Sequence, residues 1–95
     1  MIKYTEHLEL RLKSRKIPHD YPKKIYENPE QIFFDKIEKN FVAIKKMQYN
    51  GKIRNIMIAY EKKGNEICII TIHPITNEKI INRIANKRWI KNERI

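Results

Sequence analysis

Apolar and polar positions follow a helical period at the two ends of the chain and a strand period through its middle. From Thr5 to Lys16, Leu8, Leu10 and Leu12 define an apolar helix face, while Glu6, Glu9, Lys13 and Lys16 fall on the solvated side. Ile17-Pro18 breaks this pattern. Asp20 then offers a cap for a short helix through Pro22 to about Glu27, which Asn28-Pro29 ends. Gln31 to Ile37 has strand composition, Glu38-Lys39-Asn40 reads as a turn, and Phe41 to Tyr49 is a second strand. Asn50-Gly51 is the strongest hairpin signal, because both positions of a type I′ turn need positive φ. Ile53 to Glu61 makes a third strand, Lys63-Gly64 a second two-residue turn, and Glu66 to His73 a fourth strand. Pro74 closes that strand. Thr76 or Asn77 caps a last helix, with Ile80, Ile81, Ile84 and Ala85 on its apolar side, running to about Lys87 or Trp89 before a basic tail. The expected fold is α+β: two N-terminal helices, a four-stranded antiparallel meander and a C-terminal helix, in one domain over residues 1–95.

Two-residue turns fix a register. Tyr49 would lie opposite Lys52, and Lys62 opposite Asn65. One sheet face would then carry the rows Phe41, Tyr60, Ile67; Ala43, Ile58, Ile69; Lys45, Ile56, Thr71; and Met47, Arg54, His73. That face is apolar at one end. At the other it collects Lys45, Arg54, Thr71 and His73. The opposite face, with Val42, Ile44, Met57, Ala59, Cys68, Ile70 and Ile72, reads as core beneath a helix.

The first helix departs from a plain amphipathic pattern. His7, Arg11 and Arg15 are four residues apart, so they stack as one row inside the arc that should face the core. Buried charge without partners costs several kcal/mol, roughly. Either acidic groups meet this row, as in an ordinary structural ion pair, or the row lines a cleft for an anion. Composition sharpens the choice, since 21 Lys and Arg stand against 11 Asp and Glu, a formal charge of +10. An anionic partner is expected, with nucleic acid first and an acidic protein second.

Other function classes have little support. No apolar run approaches the roughly 18 residues of a membrane helix, and no secretory pattern opens the chain, so a soluble, cytoplasmic protein is expected. The single cysteine, Cys68, forms no internal disulfide and reads as a small core residue. The carboxylates, such as Asp35, Glu61 and Glu66, show no spacing that would gather them around a metal. Gly51 and Gly64 alone make no phosphate loop, and no cofactor is expected. RNA, by contrast, can be cleaved by a base for the 2′-hydroxyl, an acid for the leaving oxygen and cations for the phosphate. His and Arg suit these tasks, and His7 and His73 stand among many arginines. His19, in the loop between the helices, is incidental to this chemistry. Trp89 either anchors the last helix or stacks a base.

His7, Arg11, Arg15 and Ile17 on the first helix, Asn28-Pro29, the Asn50-Gly51 hairpin, and the strand Ile69-Ile70-Thr71-Ile72-His73-Pro74 resemble a family of small uncharacterised-domain proteins near the RelE/ParE toxins. Ile80, Asn82-Arg83-Ile84 and Arg88-Trp89 extend the resemblance over nearly the whole chain. It implies the RelE-like fold shared by barnase, EndoU, colicin and RelE nucleases, with a basic cleft for RNA, toxin activity and an acidic antitoxin partner. It also implies His7, Arg11 and Arg15 as active-site candidates, with Thr71, His73 and Arg83 at its other recurring polar positions. Together with the basic end of the sheet this gives His7, Arg11 and His73 as expected catalytic residues and Arg15, Lys45, Arg54, Thr71, Arg83 and Arg88 as expected nucleic-acid contacts. The C-terminal tyrosine typical of RelE catalysis has no match after Pro74. Three readings therefore stand: a metal-independent ribonuclease of toxin type, a non-catalytic nucleic-acid-binding module, and a ParE-like inhibitor of a protein target.

Overall fold

The computed structural model describes residues 1–92. The end of the expected basic tail, residues 93–95, lies outside the described residues. The elements run β1 (Ile2–Tyr4), α1 (Glu6–Arg15), α2 (Tyr21–Glu27), β2 (Gln31–Asp35), β3 (Asn40–Tyr49), β4 (Lys52–Lys63), β5 (Glu66–Pro74), α3 (Asn77–Ala85) and β6 (Trp89–Lys91). The sheet has six strands in the order β1-β5-β4-β3-β2-β6. β1 pairs parallel to β5, and the other pairs are antiparallel. The α+β class holds, but the expected four-stranded antiparallel meander is corrected to a six-stranded mixed sheet. Each added strand has three residues, too few to show a period of two against background.

The local signals that did hold have clear causes. Thr5 caps α1 by accepting from the Leu8 amide, and Lys16 closes it at φ 55, donating its N–H back to Leu12 and Lys13. Asn50 and Gly51, at φ 54 and 75, turn the chain from β3 to β4 and hold Tyr49 opposite Lys52 and Phe41 opposite Tyr60. Asp20 precedes α2 but makes no capping bond. Its carboxylate pairs instead with Lys24 at 3.0 Å.

The β4–β5 register differs from expectation in two steps. The turn falls at Gly64-Asn65, so Lys63 pairs with Glu66 and Tyr60 with Ile69 rather than Ile67. This slip of two keeps every side chain on its expected face. A bulge between Ala59 and Tyr60 then adds one residue, so Ala59 pairs with Thr71, Ile58 with Ile72 and Met57 with His73. A shift of one reverses the faces. Ile72 therefore joins the side of Lys45 and Arg54, while Thr71 and His73 move to the opposite side.

Both faces are covered. On the first, Leu8, Leu12, Ile17 and Ile25 from the N-terminal helices and their connection pack on Ala43, Ile56, Ile58, Tyr60, Ile69 and Ile72. On the second, Phe33, Val42, Ile44 and Met57 meet Ile75, Ile80 and Trp89. Each fully buried isoleucine contributes roughly 1.5–3 kcal/mol. Four expected core positions are open instead: Leu10 and Ile81 are each 62% exposed, Ile84 is 45% exposed, and Ala85 is exposed too. α3 rests on the sheet through Ile80 alone among its buried residues and stops at Ala85. The chain then returns to the sheet, where Trp89 fills the space beside Phe33 with ring centroids 5.2 Å apart.

Candidate functional site

β1 follows β5 only as far as the pair Tyr4 and Ile69. There the chain turns into α1: the Thr5 amide donates to the Ile69 carbonyl at 3.1 Å, and the Thr5 hydroxyl donates to the Ile70 carbonyl at 3.2 Å. At the other end of α1, the Tyr49 hydroxyl donates to the Arg15 carbonyl at 2.8 Å. The helix thus spans from the middle of β5 to the base of the β3–β4 turn. Leu8 and Leu12 hold it to the sheet. His7, Arg11 and Arg15 remain as one row along its flank. The Arg11 Nε donates to the His7 Nε2 at 3.3 Å. His7 is exposed, and Arg11 and Arg15 are half-buried.

His73, near the end of β5, is half-buried. Its Nδ1 lies 3.0 Å from the Pro74 carbonyl. A carbonyl can only accept, so that bond puts the ring proton on Nδ1 and leaves the Nε2 lone pair free. Burial pushes the His73 pKa below its usual value. The Pro74 carbonyl opposes this, and the positive charges of Arg15, Arg83 and Lys79 reinforce it. Those charges act through space, from α3 and from the end of α1, which packs on the other face of the sheet. Thr71 lies two residues back on the same side of β5, about 7 Å along the strand.

Among the described residues, no carboxylate pairs with His7, Arg11, Arg15, His73, Lys79 or Arg83. The Arg83 guanidinium lies over the Trp89 ring at 5.2 Å, which fixes it without neutralising it. His7 and His73 share no hydrogen bond among the described residues. His7 sits two turns before Arg15, about 12 Å along the helix axis. The row therefore spreads its charge along one flank instead of focusing it at a point.

Other sequence-derived candidates lie elsewhere. Lys45 and Arg54 are on the first face, with Arg54 over the Tyr49 ring at 6.0 Å. They are separated from Thr71 and His73 by the reversal at the bulge. Arg88 is engaged inside the protein: its Nη2 is 3.0 Å and its Nε 3.1 Å from the Asp35 carboxylate. The Trp89 indole donates to the same carboxylate at 3.0 Å and is 2% exposed, so Trp89 anchors the core and presents no ring for a base. His19 is held by Glu9 at 3.0 Å. That pair borders a hollow of about 750 Å³ which also carries Asp20, a poor setting for an anion.

Two features escaped the sequence reading. Lys79 precedes Arg83 by one turn on α3, an i, i+4 spacing that is visible in the sequence and would have paired them. A second hollow, about 610 Å³, lies between the start of β4 and the start of α3, lined by Lys46, Lys52, Arg54, Lys79 and neighbouring polar groups. No local pattern signals it, because it forms only when hairpin and helix meet. Among the described residues no three His, Cys, Asp or Glu side chains gather as a metal site would require, and no helix is long and apolar enough to cross a membrane. Neither protein-family models, curated proteins nor solved structures give any match to this chain.

Proposed function

We propose that the protein binds RNA along the flank of α1 and the end of β5 and cleaves it there, as a metal-independent ribonuclease of toxin type. The observation that carries this reading is a half-buried His73 with its ring proton on Nδ1 and its Nε2 lone pair available, in the field of Arg15, Arg83 and Lys79 and with no carboxylate partner among the described residues. An imidazole held in its neutral form at neutral pH is ready to accept a proton. His73 takes the 2′-hydroxyl proton, the 2′-oxygen attacks phosphorus, and a 2′,3′-cyclic phosphate forms as the P–O5′ bond breaks. The leaving 5′-oxygen takes its proton from His7, which the strand reaches only by passing round the edge of β5, because α1 packs on the sheet face opposite His73. Arg15 and Arg83 stabilise the charge that builds on the phosphoryl oxygens.

The test is incubation of labelled single-stranded RNA with the protein in excess chelator. Fragments ending in cyclic phosphate are expected, and they should vanish in His73→Ala and His7→Ala variants that remain folded. Cleavage retained by both variants would remove the histidines from the mechanism. RNA bound but uncut would leave a non-catalytic binding module.

A further inference from the structure

The second hollow lies next to His73 without belonging to its immediate surroundings. Pro74, whose carbonyl meets the His73 ring, lines it, and so does Lys79. Its other cations come from the hairpin: Lys46, Lys52 and Arg54. They are not equally available. Lys46 faces Glu30 at 3.9 Å, and Arg54 leans on the Tyr49 ring, whereas Lys52 and Lys79 meet no carboxylate among the described residues. Among the described residues, no acidic one lines the hollow. Neutral donors complete the wall: the Asn55 amide donates to the Asn77 side chain at 2.7 Å, tying β4 to the first turn of α3. The positive end of that helix faces the same space.

We propose that this groove is a second nucleic-acid subsite, which holds backbone phosphates of the RNA strand flanking the linkage at His73. The proposal rests on the RNA reading above. It goes further by giving the strand a path, from the α1 flank across Lys79 to Lys52 and Arg54 at the hairpin. Lys79 is the junction, since it faces both places. An RNA backbone fits better than an acidic protein segment because the groove's cations, Lys52, Arg54 and Lys79, lie beside the cations around His73 and so extend one strip of anion contacts. Such contacts carry no base information and would lengthen the footprint without altering the chemistry.

The experiment compares wild-type protein with a Lys52→Ala, Arg54→Ala double variant, whose positions are exposed and outside the core. Binding of a non-cleavable 2′-O-methyl 12-mer and of a dinucleotide is followed by fluorescence anisotropy across a salt series. Cleavage of an RNA dinucleotide is measured in parallel. The double variant should bind the 12-mer about tenfold more weakly, with a salt slope shallower by roughly 1.4, about 0.7 for each lost phosphate contact. Its dinucleotide binding and cleavage should match wild type. Equal 12-mer affinity and slope in the two proteins would overturn the groove. So would displacement of the 12-mer by polyglutamate but not by unlabelled RNA, which would assign the groove to an acidic protein, or saturation of the groove by inorganic phosphate with no dependence on RNA length. Absence of dinucleotide cleavage in wild type, with the 12-mer difference intact, would defeat the catalytic reading and leave the groove standing.

Discussion

Asp35 and His73 lie on the same face of one sheet, at strands near its opposite sides, and their surroundings are built on opposite terms. The Asp35 carboxylate, 3% exposed, accepts from the Ile37 and Glu38 amides, the Arg88 guanidinium and the Trp89 indole. Burial alone would raise its pKa, but Arg88, the Glu38 amide, the Trp89 indole and the Ile37 amide together outweigh that and lower it. At His73 three cations act on one ring, and no carboxylate among the described residues answers them. The lesson concerns where a chain short of acids uses them. One buried acid closes β2, β6 and the turn between β2 and β3, whereas the flank of α1 and α3 is left with its charge unspent.

Removing either partner should expose this contrast. Asp35→Ala leaves Arg88 without its buried partner and should cost about 3–5 kcal/mol of stability, read from the denaturant midpoint. A loss below about 1 kcal/mol would mean that the pair is worth no more than a surface bridge. At the other site, His73→Ala should reduce RNA cleavage about 100-fold or more, while stability falls by only about 1 kcal/mol for the bond to Pro74. A large drop in stability with cleavage intact would reverse the assignment. Arg15→Ala should have a smaller effect, about tenfold on RNA affinity, because one of several phosphate contacts is lost. It should also raise the His73 pKa toward its usual value, since a like charge is removed.

The pH dependence of stability follows from the same shifts and should be the gentlest effect. His73 titrates below its ordinary 6.5 in the native protein, so the unfolded chain takes up its proton first. Its contribution is complete above 6.5 and is lost as pH falls from there through the lowered native value. Asp35 behaves alike from its ordinary 3.8 downward. Two separate acid losses are expected in unfolding titrations, the first absent in His73→Gln and the second in Asp35→Asn.

Local chemistry carried much of this architecture. The leucine spacing and the break at Ile17-Pro18, and the turn chemistry of Asn50-Gly51, act through immediate neighbours, so α1, the β3–β4 hairpin and its register were legible. So was the row of His7, Arg11 and Arg15, since helical spacing alone defines it. The bulge at Ala59 and Tyr60 was not, because it answers to packing on both faces, and with it went the side on which Thr71 and His73 lie. β1 and β6 were hidden by their length, being ordered by the strands they join rather than by their own pattern. Arg88 looked like a free cation because its partner, Asp35, is 53 residues away.

The most direct measurement is an NMR titration of the His73 imidazole, alone and with saturating 2′-O-methyl RNA whose binding is followed independently by anisotropy. The free protein should show a pKa below that of an ordinary histidine, and bound RNA should raise it, as phosphate oxygens offset the charges of Arg15, Arg83 and Lys79. A His73 pKa unchanged by RNA that is demonstrably bound would put the strand elsewhere and contradict the proposed centre.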